Sequence, residues 1–225
     1  MLALSSSSPS ASSIISKDGI SGASTVSFNP ESSKYTIKFY GKTIETTVTD
    51  KATIVDQWIQ DINVQQPSYS FVIVGLAVEL SSSITSIARK KSATFCIDDK
   101  CLILQLKYMD NFSLSIKNFL MNPNFFSVGV EVVNDINLIT KDYGLNFGGD
   151  HANIKKLAMR KWPDRFHEPG LKNLAKELLG LSIKKLELVS LSNWGKRILT
   201  IEQVEYGSIH AYVSCKIGNL LLKDD

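Results

Sequence analysis

Cysteine is scarce in this sequence, with three among 225 residues. A small, odd number excludes a disulfide scaffold and fits a reducing compartment. Cys96 and Cys101 flank the polar turn Ile97-Asp98-Asp99-Lys100, where a hairpin would set them face to face. No C-x-x-C motif or His pair accompanies them, so they read as buried structural thiols and not as a zinc site. Long apolar runs are also missing. The longest, Phe71 to Val78, has the length of a buried strand, whereas crossing a bilayer takes roughly 18–20 residues. The expectation is a soluble chain with no membrane partner. Charge of one sign is in short supply too. The 25 Lys and Arg against 22 Asp and Glu leave +3, too little to identify a nucleic-acid binder by total charge. What is present, 44% hydrophobic, 21% charged and 9% aromatic, excludes a collagen-like or wholly disordered chain and supports one sizeable core.

The first 32 residues differ from the rest. MLALSSSSPSASSIIS is Ser/Ala-rich, and nothing up to Pro30 sustains a period. Such a segment buries too little apolar surface to offset its ordering entropy and reads as a disordered tail, with residues 33–225 as the single domain. An organellar transit peptide is the rival reading, but the tail contains no Arg and no basic amphipathic face. The expected location is the cytoplasm, the nucleus or both.

After the tail, Lys34–Tyr40 and Thr43–Val48 read as a β-hairpin around Gly41-Lys42. Asp50 is placed to cap a helix in which Ile54, Trp58 and Ile62 share one face. The run FVIVGLAVEL (71–80) has the pattern of a central strand covered on both faces. A polar loop over 81–91 leads to a second hairpin, Ala93–Ile97 with Cys101–Leu106. Beyond it the sequence predicts a helix at 113–121, a strand at 125–133, and helices at 134–143, 152–161, 170–179 and 201–222. Gly180 stops the fifth of these elements, and Thr200 with Gln203 forms a capping box for the last. The order implies an α/β fold, a mixed central sheet flanked by helices on both faces.

Three places could carry chemistry. Glu79 is an acid at the end of an otherwise apolar strand, where a buried carboxylate needs a partner, a hydrogen bond or a metal; it could equally emerge into water. Asp135 opens a helix after a strand, a position favoured by the helix dipole alone. Both fall at strand C-terminal ends, where open α/β sheets gather ligands. Tyr206 and His210 are an i,i+4 pair on one face of the final helix, a spacing that packing also explains.

The ordered segments VGLAVE, CLILQL, NFLMNPNFFSVGV followed by ND, GLKNLAKELLG, LSNW and LTIEQVEYGSIHAYVSCKIG resemble the DEDDy 3′→5′ exonucleases of the ribonuclease-H-like superfamily. The nearest resemblance is to plant proteins with a Werner-syndrome-type exonuclease domain, and it extends from about Lys34 to Leu222. The resemblance implies a ribonuclease-H-like fold and two divalent metals, Mg²⁺ or Mn²⁺, held by four carboxylates that activate water and stabilise the leaving oxygen. It assigns Glu79 and Asp135 as metal ligands and Tyr206 as the residue that orients the attacking water.

Two of the four ligands are absent. Ala77 stands where the family has an aspartate bridging both metals, and His210 stands where the tyrosine motif ends in aspartate. Four carboxylates at −4 would balance two Mg²⁺, whereas Glu79 and Asp135 supply −2, so metal binding is expected to be weakened. Glu131, Asn153, Gly195 and Ile198 depart from the family pattern nearby. Basic residues at 89–91, 155–156, 160–161, 184–185 and 196–197 could neutralise phosphates, with Trp162, Phe166 or Trp194 for stacking, or could simply be solvated charges. The reading is a degenerate 3′–5′ exonuclease-like protein that binds single-stranded RNA or DNA with weak or no hydrolysis. Two alternatives stay open: an active metal-dependent exonuclease releasing nucleoside monophosphates with His210 as a replacement ligand, and an inactive subunit assembling with paralogues. A homo-oligomer is equally compatible.

Overall fold

The computed structural model describes residues 24–65, 71–80, 91–184 and 187–223. The elements run β1 (Ser24–Asn29), β2 (Lys34–Phe39), β3 (Lys42–Thr49), α1 (Ala52–Gln65), β4 (Val72–Leu80), β5 (Lys91–Ile97) and β6 (Lys100–Leu104). After a 3₁₀ turn at Leu106–Tyr108 follow α2 (Leu114–Leu120), β7 (Phe125–Gly129), α3 (Val132–Tyr143), β8 (His151–Asn153), α4 (Ile154–Lys161), α5 (Leu171–Leu179), α6 (Glu187–Ser190) and α7 (Ile201–Lys223). All eight strands form one sheet in the order β1-β2-β3-β6-β5-β4-β7-β8. It is mixed: β3–β6, β4–β7 and β7–β8 are parallel and the other neighbours antiparallel.

Alternation along β4 explains the layering. Val72, Val74 and Leu76 join one apolar cluster with Val55, Trp58, Ile59 and Ile62 of α1 and Ile136 and Ile139 of α3. Ile73 points the other way, into a cluster with Leu174 of α5 and Tyr212, Val213 and Ile217 of α7. A strand covered on both faces reads as a continuous apolar run, as this one does. The hairpin β5–β6 sets Cys96 opposite Cys101, both fully buried as free thiols.

Helix α7 lies against the sheet at two glycines. A Cβ on Gly75 would stand 2.0 Å from the Ala211 carbonyl oxygen, and one on Gly218 would stand 2.7 Å from a Val128 methyl. The helix begins at the predicted capping box: the Gln203 side chain accepts from the Thr200 N–H at 2.9 Å, and the Thr200 hydroxyl accepts from the Gln203 N–H at 3.3 Å. Gly180, at φ +67°, closes α5 as expected.

Several boundaries differ from the sequence reading. The tail does not extend to residue 32, because Ser24–Asn29 forms a strand paired along its whole length with β2; residues 1–23 lie outside the described residues, as do 81–90 of the predicted loop. The strand predicted over 125–133 stops at Gly129, and Val132-Val133 already belongs to α3. The helix predicted from 152 is preceded by the short strand β8, with Asn153 as N-cap of α4. Asp50 does not cap α1. Its carboxylate pairs with Arg197 at 2.7 Å, and the Ala52 N–H donates to Asp110 at 3.0 Å instead. Ile54 is exposed, and the buried stripe of α1 is Val55, Trp58, Ile59 and Ile62.

Replacing Gly75 by Ala forces a methyl into backbone, which cannot retreat as a flexible side chain would. The expected loss is about 3 kcal/mol, because overpacking here must displace a whole helix. Urea unfolding of Gly75→Ala beside the natural chain measures it.

Candidate functional site

The residues singled out in the sequence converge on one cleft. Ala77, Glu79, Asp135, Tyr206 and His210 all line a cavity of about 630 Å³, together with Asn134, Lys141 and Ser214. Three elements build it. Ala77 and Glu79 share the parity of Ile73 and Gly75 on β4 and so look toward α7. Asp135 enters from α3, on the buried stripe Val132, Asp135, Ile136, Ile139. Tyr206 and His210 descend from α7, which the close approach at Gly75 holds over the strand.

His210 Nδ1 stands 3.9 Å from Glu79 Oε1, too far for a hydrogen bond. The Tyr206 and His210 rings lie 4.0 Å apart at 38°, and Tyr206 backs onto Trp194 at 6.1 Å. Burial pushes Glu79 up to about 8, reinforced by the negative charge of Asp135. Burial pushes Asp135 up to about 7 against a hydrogen bond from the Val78 backbone, with Glu131 adding to the rise. Burial likewise drives His210 down to about 4 and Tyr206 up to about 12. At neutral pH the Glu79–His210 contact is therefore a protonated acid facing a neutral imidazole, not a salt bridge.

The donor set does not fit a two-metal centre. Glu79 and Asp135 offer carboxylates, Ala77 offers no donor atom, and His210 is a nitrogen ligand where hard cations take oxygen. Among the described residues no three His, Cys, Asp or Glu side chains come together in a metal-holding arrangement. Glu131 also borders this cleft. It pairs with Lys155 at 3.2 Å and accepts from Asn134 Nδ2 at 3.1 Å. Directly across from Ala77 on β5, Thr94 buries a hydroxyl that has no hydrogen-bond partner among the described residues.

A second cleft, about 910 Å³, adjoins the first through Glu131 and Asn134. His151, Lys155, Lys156 and Arg160 line it, with Glu168 as a further acid. Lys155, Lys156 and Arg160 belong to the basic clusters singled out in the sequence, and the fold brings His151 of β8 beside them. The aromatic residues offered for stacking fare differently. Trp194 and Phe166 are 1% and 2% exposed and belong to the core, and Trp162 packs on Phe166 with Lys161 and Arg165 near its ring. Arg197 is engaged with Asp50; Arg89, Lys90 and Lys185 lie outside the described residues.

The profile of the 3′–5′ exonuclease family matches residues 76–224, so the chain belongs to that family. The mouse (Mus musculus) bifunctional 3′–5′ exonuclease/ATP-dependent helicase WRN is 27% identical over 135 residues, covering 56% of this chain and 9% of that protein. An Arabidopsis thaliana 3′–5′ exonuclease is 24% identical over 190 residues, covering 81% of this chain and 62% of that protein. The chain thus spans less than two thirds of either relative. Escherichia coli RNase D superposes with a TM-score of 0.66 at 15% identity, over 79% of this chain and 44% of that one. The Aedes aegypti Nibbler EXO domain gives 0.63 at 16%, over 79% and 87%. Both share the ribonuclease-H-like α/β fold.

Glu79 carries a pH consequence. Its folded pKa lies above the usual 4.5, so as pH rises from about 4.5 to 8 the unfolded chain loses the proton while the folded chain retains it. Stability falls over that window. Glu79→Gln removes the penalty. Thermal unfolding should show little gain at pH 5 and a gain on the order of 4 kcal/mol at pH 8.

Proposed function

We propose that this chain is a degenerate member of the 3′–5′ exonuclease family, which holds a single-stranded nucleic-acid end in the Glu79–Asp135 cleft and hydrolyses it weakly or not at all. The observation that carries the reading is Ala77. It lines the cleft beside Glu79 on the strand face turned to α7, where the family resemblance calls for the acid that bridges two metals. The orphaned hydroxyl of Thr94 across the strand pair is the condition left when an acceptor opposite it is lost. His210 packs against the Tyr206 ring and stands off from Glu79, an arrangement that supports loss of the second acid over its replacement by a nitrogen ligand. Glu79 and Asp135 would hold at most one Mg²⁺ or Mn²⁺ ion weakly.

Retained binding rests on the adjoining groove. Lys156 and Arg160 are exposed along its wall, and each phosphate they neutralise releases condensed counterions. That E. coli RNase D is described as an exoribonuclease of structured RNA processing makes RNA the first strand to try, with DNA beside it.

Labelled single-stranded RNA and DNA, offered with Mg²⁺ or Mn²⁺, should stay full length with the natural chain. They should be shortened from the 3′ end by the Ala77→Asp/His210→Asp double variant. Trimming by the natural chain at a rate near that of the variant would overturn the reading. In gel-shift titrations, the Lys156→Glu/Arg160→Glu variant should bind on the order of tenfold more weakly, and the slope of log K against log salt should fall by about 1.4, the single-strand value for two phosphate contacts.

A further inference from the structure

We propose that β1 is a docking edge for a second copy of this chain, with the two β1 strands pairing antiparallel about a two-fold axis at Ser27. The sheet has two ends, β1 and β8, and among the described residues nothing pairs with the outer side of either. An open strand edge presents unpaired N–H and C=O groups, and natural sheets guard such edges with short strands, charges, proline or bulges. The β8 end is guarded: it is three residues long and runs straight into Lys155 and Lys156 of α4. The β1 end is not. Its six residues, STVSFN, keep an unbroken register with β2 from Ser24↔Phe39 to Asn29↔Lys34, with no charge, proline or bulge among them.

The side chains specify what fits there. Val26 and Phe28 share the face toward α7, where Val26 packs on the core and Phe28 leans on Tyr35 at 4.8 Å. Phe28 is nevertheless 47% exposed. Thr25, Ser27 and Asn29 occupy the opposite face and are exposed. A two-fold axis perpendicular to the sheet brings together residues of the same face, because directly opposed residues point the same way. Centred on Ser27, the pairing sets Ser27 against the copy's Ser27, Val26 against the copy's Phe28, and Thr25 against the copy's Asn29. Apolar meets apolar, polar meets polar, and the exposed Phe28 ring gains a partner.

No charge on β1 is desolvated, and the flanking Lys34 is already paired with Glu45 at 2.9 Å. A small cavity touches β1 at Ser24 only, outside the proposed pairing of residues 25–29, whose own alternation is self-complementary. The strand is also held in place: the Ser24 hydroxyl donates to Glu205 on α7, the residue before Tyr206.

Sedimentation velocity of the full chain between about 1 and 100 μM tests the pairing. The natural chain should shift from monomer to dimer over that range. Ser27→Lys and Ser27→Glu each place like charges opposite one another at the axis, and each alone should weaken association on the order of tenfold or more. Mixed together they should associate again, because Lys then faces Glu. Ser27 is exposed and outside the cleft, so unchanged circular dichroism and melting temperature certify both variants as folded. A natural chain that stays monomeric throughout, as it would if residues 1–23 of the same chain covered the edge, overturns the proposal. So does undiminished association of either single variant, or failure of the mixture to associate.

Discussion

The seating of α7 on β4 at Gly75 is the contact on which the site depends. A strand residue with any side chain would hold the helix off, since the Cβ position falls 2.0 Å from the Ala211 carbonyl oxygen. With glycine there, the helix backbone rests on the strand. Tyr206 and His210, on the stretch of helix leading into Ala211, then reach the same space as Ala77 and Glu79. Gly218 repeats the approach nearer the C-terminal end of the helix, against Val128 of β7. Ser208 ties the helix laterally, with its hydroxyl between Thr46 of β3 and the Val204 carbonyl. A 23-residue helix fixed at three strands cannot slide without breaking core packing, so the cleft geometry is a property of the fold and not of its loops.

Within that fixed cleft, charge decides what the site can be. Glu79 and Asp135 are buried close enough for the negative charge of Asp135 to raise the pKa of Glu79, and desolvation raises both. A third acid at position 77, on the same strand face, and a fourth at 210 would increase that repulsion unless cations neutralised them. Alanine and a neutral imidazole relieve it. The pair that remains can shed its charge by taking up protons, which four acids cannot do as cheaply at neutral pH. Ala77 and His210 are therefore mutually consistent: neither adds negative charge to a cleft in which desolvation already raises both acids.

The parts of the fold legible in the sequence are those fixed by local chemistry. The apolar run of β4, the capping box at Thr200 and Gln203, the left-handed Gly180 and the hairpin that opposes Cys96 and Cys101 each carry their signal within a few residues. The five residues singled out fall into motifs, and the structure brings them into one cleft. What was hidden is non-local. Strand β1 lies in a Ser-rich stretch and owes its existence to pairing with β2. Strand β8 is too short to show a period. Val132 and Val133 favour strand by propensity, yet tertiary packing of the stripe from Val132 to Ile139 makes them helix. The start of α1 is held by Asp110, 58 residues away, while the nearer Asp50 serves Arg197. Trp194 looked available for a base and is core, because only its place under α7 reveals its burial.

The Glu79–Asp135 cleft and the basic groove draw on different elements. Cutting, as the family resemblance describes it, needs positions 77 and 79 on β4, 135 on α3 and 210 on α7. The basic groove is made by β8 and α4, which are ordered by the parallel pairing of Ser127, Val128 and Gly129 with His151, Ala152 and Asn153. Asn153 finishes the work locally. Its side chain accepts from the Lys155 and Lys156 N–H groups and donates to the Val130 carbonyl, so it caps α4 and pins it to the end of β7. None of these contacts involves Ala77 or His210. The residues at positions 77 and 210 can therefore change without disturbing the groove wall, so the two surfaces are structurally independent.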